Sequence, residues 1–169
     1  IRRQRQMCIR DSDMFVRLDM EDHRVTTETI QVVLDLHEKG LTNVGTVLQG
    51  RLHRTPDDIG EVGEAIGPHA DYRICKGIYL EPEEIAYTTR TDIRNKTNDA
   101  IRMALEHGAY VGIASHDVPV VDYSLDVLKE FNMGPSIDDP RKNAGAPRKG
   151  KGPGYEFQML LGVRGPMRR

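Results

Sequence analysis

The sequence predicts an α/β fold built on a parallel sheet, and three observations carry that expectation. Short β-compatible runs alternate with stretches whose apolar residues recur at helical spacing. The strand starts recur roughly every 30 to 40 residues, about the size of one βα unit. Polar residues gather where each expected strand ends.

Taken in order, Phe15–Asp19 is a first strand that runs into acids. Thr26-Thr27-Glu28 opens a helix whose Ile30, Val33, Leu34 and Leu36 share one face, and Gly40 closes it. Val44–Gln49 is a second strand, and Thr55-Pro56-Asp57-Asp58 starts a helix with proline in its first turn. Tyr72–Lys76 is a third strand. A helical region is expected to begin at Pro82–Tyr87 and to continue through Ile93, Ala100, Ile101, Ala104 and Leu105 to Gly108. Ala109–Ser115 is a fourth strand, Val120–Phe131 a helix, and Tyr155–Leu160 a fifth strand.

Two architectures fit this alternation: a doubly wound open sheet, and a run of about five units from a parallel (β/α)8 barrel of the TIM type. A whole barrel needs about 250 residues, so the 169 residues here are expected to make an incomplete one. Charged residues make up 30% of the chain, aromatics 5%, and the mean hydropathy is −0.54. With no long apolar run, this composition excludes a membrane-spanning helix. A net charge of −2 gives no reason to expect a nucleic-acid partner. Two cysteines, Cys8 and Cys75, make neither a disulfide framework nor a metal-spaced pair, which points to a reducing, cytoplasmic setting.

Two segments stand apart. Ile1–Ser12 (IRRQRQMCIRDS) has no hydrophobic period and resembles translated sequencing-adapter read-through, so it is set aside from the fold as a non-native leader. Taking its four arginines and Asp11 from 24 basic and 26 acidic residues leaves 20 and 25, a moderately acidic domain over residues 13–169. Asn132–Gly154, rich in glycine, proline and basic residues, reads as a flexible insertion. Its Gly150-x-Gly152-x-Gly154 spacing precedes a strand, whereas a dinucleotide-binding fingerprint follows one and opens a helix.

The strand ends carry the chemistry. They present Asp19-Met20-Glu21-Asp22-His23, Gln49-Gly50-Arg51, Lys76-Gly77-Ile78-Tyr79 and Ser115-His116-Asp117, and the fifth strand carries Glu156 and Gln158. In a parallel barrel these ends and the loops after them make one face, where active sites lie. Glu21 or Asp22 is expected to cap a helix, and Cys75 to be a small buried hydrophobe. Arg73 and Cys75 share a face opposite Ile74 and Lys76, and periodicity leaves open which face is inside. Lys76 suits a Schiff-base nucleophile or a cofactor-contacting cation. His116 suits either a structural or a functional role. No metal site is assigned.

Arg73-Ile74-Cys75-Lys76-Gly77-Ile78-Tyr79 resembles the RLVKGAY motif of proline dehydrogenases. Four more segments resemble that family in the same order: Asp19–Asp22 its DMED segment, Val47-Leu48-Gln49 its VLQ strand, Ala114–Asp117 its ATH(D/N) turn, and Tyr155–Gly162 its (F/Y)EFQML(Y/H)G strand. Ile78 stands where the motif has Ala, and Ser115 where it has Thr. The resemblance implies an FAD-dependent oxidoreductase acting on a CH–NH donor. It would oxidise L-proline to 1-pyrroline-5-carboxylate by hydride transfer from C5 to flavin N5, then pass electrons to a membrane quinone. It further implies Asp19 and Arg73 as the catalytic pair, with Met20, Gln49, Lys76, Gly77, Ile78, Ser115 and His116 contacting FAD and Leu160 lining the substrate site. The family's substrate-carboxylate arginines would follow the fifth strand and its substrate lysine would precede Asp19; neither region lies in this chain, and Arg168-Arg169 comes too soon after Gln158 to supply the arginines. The chain alone is therefore expected to be inactive, as part of a cytoplasmic protein that visits the inner membrane surface and forms an oligomer or not. Two other readings are a Schiff-base aldolase using Lys76 and a non-catalytic module that binds through its basic loop.

Overall fold

The computed structural model describes residues 15–134 and 153–163. The proposed leader, residues 135–152 of the Gly/Pro-rich insertion, and Arg168-Arg169 lie outside the described residues. Five strands, β1 (Val16–Leu18), β2 (Val44–Gln49), β3 (Asp71–Cys75), β4 (Tyr110–Ala114) and β5 (Gly154–Gln158), form one sheet. Its order is β1-β2-β3-β4-β5 and every neighbouring pair is parallel. Doubly wound sheets reverse their strand order at a switch point; this sheet does not, which removes that alternative. The fold is α/β, an arc of consecutive units from a TIM-type barrel.

Among the described residues, four α-helices alternate with the strands: α1 (Thr26–Glu38), α2 (Thr55–Ile66), α3 (Arg90–Glu106) and α4 (Val118–Glu130). Their apolar stripes cover the outer face of the sheet. Leu48, Tyr72, Ile74, Val111 and Ile113 point outward into a core shared with Ile59, Val62, Ile101, Leu105, Val127 and Leu128. Tyr72 is fully buried there and donates its hydroxyl to the Ile59 carbonyl at 3.1 Å, so the one polar atom it carries is satisfied. Among the described residues no helix is long and apolar enough to cross a membrane.

The element bounds follow the expected ones closely, with one clear correction. The region from Pro82 to Tyr87 is not helical; α3 begins at Arg90. Residues 82–87 instead strap across the loop after β2, where His53 N–H donates to the Ile85 carbonyl at 2.9 Å and Tyr87 N–H to the Arg51 carbonyl at 2.8 Å. The real start signal is Thr89, whose hydroxyl accepts from Asp92 N–H at 3.1 Å. The fifth strand likewise ends at Gln158 rather than Leu160. Asp22 does cap, accepting from Arg24 N–H at 3.0 Å over a 3₁₀ turn, His23–Val25, that leads into α1.

The inner face of the sheet is polar and its register is regular. Val47, Arg73, Gly112 and Glu156 lie abreast, and Gln49, Cys75, Ala114 and Gln158 lie abreast one layer higher. Small residues on β2 and β4 make room for long ones on β1, β3 and β5. A Cβ on Gly45 would stand 2.6 Å from the Asp71 carbonyl oxygen, and one on Gly112 2.6 Å from Gln158 Nε2. Alternate strands filling alternate layers is how a barrel interior packs, and here the filling is by charged and amide groups.

Candidate active site

The polar strand ends converge. A cleft of about 710 Å³ opens at the C-terminal edge of the sheet, and Asp19, Met20, Gln49, Arg73, Lys76, Gly77, Ile78, Ser115, His116 and Leu160 all line it. The register places Arg73 and Cys75 on the inward face, which sequence periodicity leaves open. Cys75 therefore lines the cleft and is half-buried rather than part of the apolar core. Burial pushes its thiol up, against a hydrogen bond from Gly77 and the Arg73 charge.

Arg73 sits in the middle of this face. Its Nη1 donates to both carboxylate oxygens of Asp19, at 2.7 and 2.8 Å, joining β3 to the end of β1. Its Nε donates to the side-chain carbonyl of Gln158 on β5. The side chain keeps about a third of its surface exposed to the cleft (32%), so a cation is presented there and not sealed away.

Lys76 donates to Asp117 Oδ2 at 3.0 Å, and Arg94 from α3 reaches the same carboxylate at 3.1 and 3.3 Å. Burial alone would raise the Asp117 carboxyl, but the hydrogen bonds from Arg94 and Lys76 outweigh it and hold the group below the usual carboxylate range. The Ser115 hydroxyl accepts from Asp117 N–H at 3.1 Å and so shapes the turn after β4. Across the cleft, His116 Nε2 accepts from Leu160 N–H at 3.0 Å, which makes His116 a tie between the loops after β4 and β5.

Two features define the floor, and the second suits a bound group. Gly77 has φ +89, and a Cβ there would stand 2.3 Å from Gln49 Oε1 and 2.7 Å from Arg51 Cδ, so the backbone comes as close as a backbone can. Gln49 is 2% exposed; its Nε2 donates to the Glu21 carbonyl at 2.7 Å, while its Oε1 is buried with no partner. A buried acceptor of that kind is costly unless a donor arrives. Beside them Ile78 and Leu80 stand out into solvent, 86% and 96% exposed. Among the described residues, no group of three or more His, Cys, Asp or Glu is arranged to hold a metal ion.

The ten residues singled out in the sequence are thus neighbours in space, although several have partners that the sequence did not reveal. Asp117 closes the Strand 4 motif and is the shared anchor of Lys76 and Arg94; its place directly after His116 was the available signal. Gln158 sits two residues after Glu156 on the inward face, and its contact with Arg73 needs the three-dimensional register.

No family model matches the chain. The chain is 31% identical to proline dehydrogenase 2 of Bacillus subtilis over 151 residues, which are 89% of this chain and 43% of that protein. It is 34% identical to the proline dehydrogenase of Deinococcus radiodurans over 153 residues, 89% of this chain and 42% of the relative. Among solved structures it resembles proline utilization A (PutA) from Bdellovibrio bacteriovorus inactivated by N-propargylglycine. That likeness has a TM-score of 0.71 at 22% identity, covering 90% of this chain and 16% of the other, and it bears on the fold. The chain is therefore related to the proline dehydrogenases, and it spans about two-fifths of the length of the curated relatives it matches.

Proposed function

We propose that this chain forms part of the active site of a flavin-dependent proline dehydrogenase, with Asp19 and Arg73 at its centre. The observation that carries the reading is the inward Arg73, held by Asp19 at 2.7 and 2.8 Å in a cleft lined by every residue that the family resemblance singles out. The floor suits FAD on one further count: Gln49 Oε1 is buried without a partner and waits for a donor such as a ring N–H.

In the proposed reaction L-proline loses a hydride from C5 and a proton from its nitrogen, and a C=N bond forms to give 1-pyrroline-5-carboxylate. FAD held by these residues would supply the hydride acceptor, with a membrane quinone as the final electron acceptor. The chain's own residues do the positioning. Arg73 presents a fixed cation where negative charge arrives, which lowers the barrier because no solvent has to reorganise. Asp19 keeps that cation oriented. Met20, Gln49, Lys76, Gly77, Ile78, Ser115 and His116 would hold the cofactor, and Leu160 would close the substrate side. In this reading catalysis belongs to a longer protein that meets the quinone at the membrane surface from the cytoplasm, and the chain alone is inactive.

Lys76 as a Schiff-base nucleophile is the weaker reading, because its amine is engaged by Asp117 at 3.0 Å and a nucleophile must be free. One experiment separates the two. The chain, extended by its genomic flanks and freed of Ile1–Ser12, is incubated with L-proline and a soluble quinone, and 1-pyrroline-5-carboxylate is trapped with o-aminobenzaldehyde. Product in the wild type and none in Arg73→Ala is expected. Absence of product, together with borohydride trapping of a keto substrate on Lys76, overturns the proposal.

A further inference from the structure

The inward side chains of three strands form one hydrogen-bonded chain that runs from the cleft down the barrel interior. Asp19 holds Arg73 Nη1, Arg73 Nε donates to Gln158 Oε1, and Gln158 Nε2 donates to Glu156 Oε1. Glu156 faces Arg17 Nη1 at 3.6 Å, and Arg17 is itself paired with Asp71. The lower end is deep: the Arg17 side chain is 7% exposed and that of Asp71 is 0%.

We infer that Gln158 is a positioning residue for Arg73, with its own amide oriented by Glu156. The inference rests on the proposed role of Arg73 but not on the identity of the substrate. A guanidinium held only through Nη1 can still swing its plane about the Asp19 contact. A second hold at Nε, from a different strand, fixes the plane. The acceptor at that second hold is an amide. A carboxamide has one acceptor oxygen and one donor NH₂, whereas a carboxylate can only accept. Glu156 therefore takes the NH₂ end, which leaves the oxygen facing Arg73. The orientation of Gln158 is thus dictated from below, from a residue anchored among buried charges.

The choice of amide over acid matters to the cleft. Asp19 already supplies one negative charge to Arg73. A second carboxylate at position 158 would dilute the cation that the cleft presents and would stand against Glu156, two like charges within hydrogen-bond reach. Glutamine orients the guanidinium and adds no charge. Gly112 on β4, abreast of Glu156, gives the amide its space, since a Cβ there would stand 2.6 Å from Gln158 Nε2.

The test uses four variants: Gln158→Met, Gln158→Glu, Glu156→Gln, and the exchange Glu156→Gln with Gln158→Glu. The exchange keeps both the total charge and the donor order, because the amide now at 156 can donate upward while the acid at 158 accepts from Arg73. The first readout is hydrogen exchange of the Arg73 Nε–H by nitrogen-15 NMR in the 169-residue chain, which needs neither flavin nor proline. Loss of a hydrogen bond to a charged group predicts that Gln158→Met speeds this exchange about tenfold or more, that Glu156→Gln, which no longer dictates which end of the amide faces Arg73, speeds it by less, and that Gln158→Glu and the double exchange, which both keep an acceptor against Arg73 Nε, leave it slow. The second readout, in the extended protein, is the split between kcat and KM for proline together with the flavin midpoint potential. Gln158→Met is expected to lower kcat about tenfold, leave KM within about twofold and move the potential negative, in a protein that stays folded by circular dichroism. Unchanged Arg73 exchange in Gln158→Met, or exchange in the folded double variant as fast as in Gln158→Met, overturns the inference. If the exchange pattern holds while the wild type oxidises no proline, the positioning role stands and the proposed activity is what fails.

Discussion

Replacing Gly77 with alanine tests the floor of the cleft, and a second glycine supplies the control. Gly77 has φ +89 and Gly40, just past α1, has φ +77, so a side chain at either meets the same backbone penalty of about 1–2 kcal/mol. Their surroundings differ: nothing lies within 4 Å of a Cβ at Gly40, whereas one at Gly77 would stand 2.3 Å from Gln49 Oε1 and 2.7 Å from Arg51 Cδ. Neither neighbour can easily retreat. Gln49 is 2% and Arg51 6% exposed, Gln49 is tied to the Glu21 carbonyl at 2.7 Å, and Arg51 is tied to the Tyr79 carbonyl. Relief of the overlap breaks at least one of those bonds, about 1–3 kcal/mol for a buried polar group. Gly40→Ala should therefore cost about 1–2 kcal/mol and Gly77→Ala about 2–5. The loss of backbone freedom in the unfolded chain is common to both and cancels in the comparison. Urea denaturation followed by far-ultraviolet circular dichroism reads both variants. Equal destabilisation, within about 0.5 kcal/mol, would refute the claim that the Gly77 backbone is pressed against the Gln49 amide.

Two other outcomes follow from titratable groups that burial shifts. Burial lowers His37 below its ordinary value of 6.5, helped by the nearby His69 and opposed by its hydrogen bond to the Val44 carbonyl. The unfolded chain then takes up the proton first, so this site's contribution to stability falls as pH drops from about 7 toward 5. His37→Gln should flatten that slope in urea melts across the range, and an unchanged slope would count against it. Burial also raises the Cys75 thiol above its ordinary 9.0. In a Cys8→Ser background, iodoacetamide at pH near 8 should label the native chain about tenfold more slowly than the urea-unfolded chain. Because the unfolded thiol ionises first, stability should decline as pH rises through the ordinary thiol value; equal labelling rates would contradict the raised thiol.

The sequence spoke most clearly where one structural demand was at work. Val44–Gln49 was legible to the residue because the β-branched Val44, Thr46 and Val47 fall in a short run closed by the Gly50 turn. The facing of Arg73 was not, because Tyr72 and Ile74 pack against helices while Arg73 and Cys75 face a polar interior, and a period of two gives no sign of which side is which. The late start of α3 was hidden because Pro82–Tyr87 has helix-compatible residues, while its backbone is claimed by the loop after β2, a tertiary preference that no local pattern records. The cleft itself was legible as a list of strand-end residues. Its wiring was not: Asp117 bridging Lys76 and Arg94, and Gln158 reaching Arg73 across 85 residues of sequence, depend on strand register.

The proposed function requires that this cleft hold a flavin whose reduction by proline depends on Arg73. The most direct measurement is the visible spectrum of the extended protein, taken anaerobically before and after addition of L-proline, in the wild type and in Arg73→Ala. Flavin bands that bleach with proline in the wild type and persist in Arg73→Ala are the predicted result. A correctly folded protein with no flavin absorbance, or bleaching that is indifferent to the loss of Arg73, would contradict the account.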